Sequence, residues 1–151
     1  MEILELINIG SRQLKDKNIS SHRLDSEILL SKALNKTREE LLINVNQKID
    51  STNVNHFNSL IFRRSSKEPI AYILKEKEFW SKNFLVENNT LIPRPETELM
   101  VEKIVKIFEK KNMYILDIGT GSGCILLSLL SELKDSKGIG IDKSKRAILV
   151  A

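Results

Sequence analysis

The stretch ILDIGTGSGCILLSLL, Ile115 to Leu130, constrains the fold more than any other part of the chain. A short apolar run, a glycine-rich turn and a second apolar run form the pattern of a buried parallel strand leading into a helix. Such a turn aims backbone N–H groups and the positive end of the helix dipole at a ligand. The spacing departs from the dinucleotide fingerprint, which wants glycines at the first, third and sixth positions. Here Gly119, Gly121 and Gly123 are followed by Cys124 at the sixth. Asp117 stands on the strand two residues before the first glycine. Asp142 closes a second short run, Gly138-Ile139-Gly140-Ile141-Asp142, about twenty residues on, where a carboxylate can accept both hydroxyls of a ribose. The competing assignment makes Asp142 a cap for the helix opening near Ser144. Strand, turn, helix over Cys124 to Leu133, and strand together predict one right-handed βαβ unit.

Upstream the pattern is helical. Ile3, Ile7 and Leu14 space as one face of a first helix, flanked by Leu4 and Leu6. A second helix follows Ser20-Ser21, with Leu24, Ile28, Leu29 and Leu30 as its apolar stripe. Thr37 and Glu40 have capping-box spacing ahead of Leu41, and Asp50 or Ser51 can cap a helix carrying Val54, Phe57, Leu60 and Ile61. His22 and His56 lack a metal-ligand partner at useful spacing and read as surface or cap residues. Character changes after Pro69. EPIAYIL and KEFWSKNFLVE are rich in β-branched and aromatic residues, and Asn88-Asn89 supplies a turn, which together predict a short β-hairpin. In LIPRPETE, each proline holds the residue before it extended, so Ile92 and Arg94 are extended. Helix is favoured from Pro95, with Glu96 and Glu98 in its first turn. That helix carries Met100, Ile104, Ile107 and Phe108 on one side.

Composition narrows the function classes. The formal charge of +4 is spread along the chain, which adds little weight to nucleic-acid binding. A single cysteine, Cys124, rules out an intramolecular disulfide and fits a reducing cytosol. MEILELINIG carries acids and no basic leader, and no apolar run approaches the roughly eighteen residues of a membrane span. A cytoplasmic protein without membrane association is the expectation.

The set Asp-x-Gly-x-Gly-x-Gly with a second acid closing the next strand resembles the class I S-adenosylmethionine methyltransferases. It suits a ligand without a pyrophosphate, because the small loop residues give room rather than phosphate donors. Read with EPIAYILKEKEFW and LIPRPETE, the chain resembles the HemK/PrmC family of protein-(glutamine-N5) methyltransferases, closely over residues 63 to 151. The resemblance implies an α/β chain in three parts. These are a helical substrate-docking bundle at 1–68, a β-hairpin linker at 69–94, and an incomplete, Rossmann-like S-adenosyl-L-methionine-binding domain at 95–151. It implies methyl transfer to the glutamine amide of the Gly-Gly-Gln motif of peptide chain release factors. Gly119, Thr120, Gly121, Ser122 and Gly123 would line the cofactor, Asp142 would hold its ribose and Asp117 would orient the loop. Arg94, Glu96 and Thr97 would lie by its methionine end. Lys75 stands where the family usually has glycine.

The family's Asn-Pro-Pro-Tyr signature does not occur in these residues, so no catalytic residue is assigned. The chain is expected to be an N-terminal portion, inactive alone, with residues 112 to 151 poorly ordered, self-associating or completed by another chain. Two alternatives stand beside this: a non-catalytic split product that docks release factors, and a fragment of a nucleic-acid amino-methyltransferase. The second is disfavoured by the lack of basic and aromatic clustering.

Overall fold

A computed structural model describes residues 1–109 and 111–151, and divides them into two compact units, Met1–Leu74 and Lys75–Ala151. The first unit is helical: α1 (Ile3–Asp16), α2 (His22–Leu34), α3 (Arg38–Ile43), α4 (Ser51–Ser65) and α5 (Ile70–Leu74). The caps form as their spacing predicts. Thr37 accepts from the Glu40 N–H while Glu40 accepts from that of Thr37, and Asp50 accepts from the Asn53 N–H. Ile3, Leu6, Ile7, Leu14, Leu29, Leu30, Leu41, Phe57 and Ile61 build the core. Gly10 makes it tight, because a Cβ there would lie 2.6 Å from Ser26 Oγ and 2.7 Å from Phe57 Cζ.

The stripe expected on α2 is corrected. Leu24 is exposed, while Asp25, Ser26 and Glu27 are buried beside Leu29 and Leu30. Each buried polar side chain has a partner. Ser26 donates to the Ile7 carbonyl at 2.9 Å, Asp25 accepts from Arg64 at 2.7 Å, and Glu27 accepts from Arg23 and Arg38. Satisfied polar groups can occupy a helix face that periodicity reserves for apolar ones. EPIAYIL is also corrected: Ile70–Leu74 is helical, opening on the Pro69 carbonyl, and buries Ala71 and Ile73. Strand propensity reports the fit of a side chain to a pleated surface, and burial against the bundle overrides it here.

The second unit opens with a hairpin of β1 (Glu76–Phe79) and β2 (Lys82–Leu85), paired antiparallel from Glu76–Leu85 to Phe79–Lys82. Its turn is Trp80-Ser81, not Asn88-Asn89, and both residues are left-handed at φ 52° and 54°. A two-residue loop of that hand matches the twist of the strands, which is why it closes the hairpin without the usual glycine. Asn88-Asn89 turns the chain after the hairpin, where Thr90 N–H donates to the Glu87 carbonyl. Lys75, at φ 62°, occupies a left-handed position of the kind that glycine adopts freely.

LIPRPETE behaves as read: Arg94 is extended at φ −100° and ψ 136°, and a 3₁₀ turn at Pro95–Thr97 leads into α6 (Glu98–Phe108). The inward face of α6 is offset by one position from the expected stripe, with Val101 fully buried, Ile104 and Val105 packed on the core, and Met100 and Ile107 exposed. These residues join Phe79, Phe84, Cys124 and Leu129 in a core where the two phenyl rings meet edge-on at 6.2 Å.

β3 (Tyr114–Ile118), α7 (Cys124–Glu132), β4 (Lys137–Ile141) and α8 (Lys145–Val150) complete the chain. β3 and β4 pair in parallel from Tyr114–Lys137 to Ile118–Ile141, the two-stranded ladder that strand, turn and helix predict. α7 covers one face closely, since a Cβ on Gly138 would sit 2.5 Å from Leu126 Cδ1. The other face is bare: Tyr114 (86% exposed), Leu116, Ile118 (76%), Ile139 and Ile141 alternate along it. Among the described residues neither strand has a further neighbour. No described helix is long and apolar enough to cross a membrane.

Two outcomes are expected. Amides of Ile115 to Ile118 exchange faster than those of Leu29 and Leu30, because a lone parallel ladder with a wet apolar face opens easily. Strong protection in a chain shown to be monomeric would contradict this. Lys75→Gly stabilises the second unit by about 1 kcal/mol by relieving a left-handed residue, measured by urea denaturation.

Candidate functional site

β3 and β4 run parallel, so both deliver their C-terminal ends to one edge, and the segments leaving them interlock there. Gly119 N–H and Thr120 N–H both donate to the Ile141 carbonyl, at 2.8 and 3.0 Å, which docks the loop after β3 on the end of β4. Gly119, Gly121 and Gly123 have φ of 84°, 58° and 75°, a hand that β-carbons resist, so alternate glycines are a requirement of this path. Their surroundings differ. A Cβ on Gly119 would meet nothing within 4 Å and one on Gly121 only the Gly119 carbonyl at 3.9 Å, whereas one on Gly123 would lie 3.3 Å from the Leu127 and Ala151 side chains. The loop therefore presents an open, side-chain-free backbone at its first two glycines and a packed one at its third.

Two carboxylates hold this path. Asp117 Oδ2 accepts from the Thr120 hydroxyl at 2.8 Å. Asp142 Oδ2 accepts from Gly121 N–H at 3.0 Å, and its Oδ1 accepts from Ser144 N–H at 2.9 Å. The Ser144 N–H, followed by that of Gly121, holds the Asp142 carboxyl below its ordinary range. The cap assignment for Asp142 goes instead to Ser144, whose hydroxyl accepts from Ala147 N–H at 3.2 Å. Ser122 is 4% exposed, and its buried Oγ neighbours the Cys124 thiol. Cys124 opens α7 below it, and burial pushes its thiol pKa up, away from the nucleophilic thiolate.

The structure thus gathers Asp117, Gly119, Thr120, Gly121, Ser122, Gly123 and Asp142 in one interlocked loop cluster. Arg94 and Glu96 are exposed, and among the described residues no hydrogen bond ties their side chains to that loop. Two contributors were not singled out from the sequence. Ser144 completes the Asp142 bridge. Gly140 lies under Thr120, and a glycine inside a strand is itself a signal of close approach.

Residues 5–74 match the PrmC N-terminal domain. The chain is 46% identical to the release factor glutamine methyltransferase of Buchnera aphidicola subsp. Baizongia pistaciae, over 100% of this chain and 54% of that protein. Against the release factor glutamine methyltransferase of Leptospira interrogans it is 42% identical, over 99% of this chain and 53% of that protein. It is also 35% identical, over 99% of this chain and 32% of that protein, to a bifunctional methyltransferase of Rickettsia typhi. The relatives are methyltransferases, and the glycine-loop cluster lies inside the matched region. The chain is thus similar to the PrmC N-terminal domain over its first half and to release factor glutamine methyltransferases throughout, and it spans about half the length of the curated relatives it matches.

The depressed carboxyl gives a pH test. Because the Asp142 pKa lies below its ordinary 3.8, the bonds to Gly121 and Ser144 persist above that value and are lost as pH falls through the lower, folded one. The amide resonances of Gly121 and Ser144 should move together in that acid window, and Asp142→Asn should abolish the shared transition.

Proposed function

We propose that the second unit contributes the S-adenosyl-L-methionine site of a Rossmann-like methyltransferase domain, and that the whole protein methylates the glutamine amide of the Gly-Gly-Gln motif in release factors. The observation that carries it is the glycine loop held by Asp117 and Asp142, with Gly119 and Gly121 facing open space. The residues fit this cofactor better than a dinucleotide. The loop offers room for a nucleoside at Gly119 and Gly121, and the Asp142 carboxylate retains lone pairs for a ribose. The buried Ser122 Oγ is a further polar group at the same turn.

The bound cofactor would supply an electrophilic methyl group. An amide nitrogen is a weak nucleophile, because its lone pair is delocalised, so transfer depends on alignment and on hydrogen bonds to the amide. No side chain of these 151 residues is assigned that work: the loop binds and orients, and the Asn-Pro-Pro-Tyr groups that would hold the amide belong to sequence outside them. The helical bundle is the docking part for the release factor, a role supported by its match to the PrmC N-terminal domain. The unpaired outer edges of β3 and β4 support completion of the sheet by further polypeptide, and their bare apolar face supports its covering by the same, and with both the inactivity of these residues alone.

Titration calorimetry with S-adenosylhomocysteine tests the site. Binding is expected, and Asp142→Ala should weaken it about tenfold or more, the loss of charge-assisted hydrogen bonds. Labelled-methyl transfer tests the activity. The 151 residues alone should transfer nothing, and the same residues joined to the remaining half of a relative should label a release factor but not its Gly-Gly-Ala variant. Labelling of DNA in place of the release factor would sink the assignment.

A further inference from the structure

The five loop residues do not share one orientation. Between the open Gly119 and Gly121, Thr120 turns inward and is only 7% exposed. Its hydroxyl donates to Asp117, its N–H donates to the Ile141 carbonyl, and its carbonyl accepts from Gly123 N–H at 2.8 Å. Its side chain rests on Gly140, where a Cβ would lie 2.8 Å from Thr120 Oγ1, 3.0 Å from Cβ and 3.1 Å from Cγ2. Gly140 stands opposite Asp117 in the ladder, so the carboxylate and the missing side chain are the two walls of one slot.

We propose that Thr120 and Gly140 form a key and slot that sets the loop's path, making Thr120 a positioning residue rather than a ligand contact. The proposal rests on the loop being the cofactor site. A β-branched side chain has few χ1 choices, so Thr120 cannot swing off a new Cβ at position 140 without leaving Asp117. A methyl group on Gly140 therefore lifts the loop, moves Gly121 N–H off Asp142 and disturbs the open backbone that faces the ligand. Thr120 acts on affinity through its neighbours.

The test compares Gly140→Ala, Thr120→Ala and the double variant in the full chain, by S-adenosylhomocysteine affinity and by amide exchange of Gly121. Gly140→Ala should weaken binding about tenfold and accelerate Gly121 exchange, and Thr120→Ala should do less. The double variant should return close to Thr120→Ala, because removing the key vacates the slot. A double variant as impaired as Gly140→Ala, or a Gly140→Ala chain that matches the parent, would overturn the proposal. So would equal acceleration at Leu116 and Ile139, which would mean general loosening. If the parent chain binds no S-adenosylhomocysteine, the cofactor reading fails on its own, and Gly121 exchange still decides the key and slot.

Discussion

The carboxylate of Asp142 is the joint on which the second unit's working edge depends. It receives Gly121 N–H from the segment after β3 and Ser144 N–H from the segment after β4, so one side chain sets both exits of the ladder. Asp117 does the corresponding work from the other strand, but through a hydroxyl. Backbone donors are fixed by the path of the chain, so the geometry at Asp142 carries straight into the placing of the glycines. Glycine adopts a left-handed conformation without steric strain, and the hydrogen bonds at the base of the turn select that path at all three positions.

The first unit is organised by a different device. Its core is apolar, yet α2 carries a buried row of Asp25, Ser26 and Glu27, each hydrogen-bonded to a side chain or carbonyl from another element or turn. Such pairs add little net stability, because desolvation offsets most of the attraction. They do penalise misregistered packing, since a one-turn slip of α2 would part Asp25 from Arg64 and Glu27 from Arg38. The close approach at Gly10 acts in the same sense by sterics. Helix order alone would allow several packings of these amphipathic segments; the polar row and the glycine favour one.

What the sequence made legible was local. The capping box at Thr37, the strand Tyr114–Ile118, the extended Arg94 and the acid on either side of the glycine loop all follow from neighbours a few residues away. What it obscured depended on partners far along the chain. Leu24 lost its place to Asp25 and Glu27 because Arg64 and Arg38 stand ready to pair with them. Met100 and Ile107 proved exposed because the second core approaches α6 from the side of Val101. A turn at Trp80-Ser81 has no sequence signal of its own; two hydrogen bonds from elsewhere in the unit sustain it. Within the site, the cluster of loop residues was readable as a set, but the inward turn of Thr120 was not, because it depends on the empty space above Gly140.

Those two bonds at the hairpin tip have a practical meaning. Trp80 N–H donates to Glu98 at the start of α6, and the indole Nε1 donates to Glu132 at the end of α7. It is the only tryptophan in the chain, and it sits in the second unit while the first has none. Its emission is therefore a private optical signal for the glycine-loop unit, silent to the bundle, whose melting registers chiefly in far-ultraviolet helix signal. The two units of one polypeptide can be followed separately in a single unmodified sample, and a ligand's stabilisation of one can be read without interference from the other.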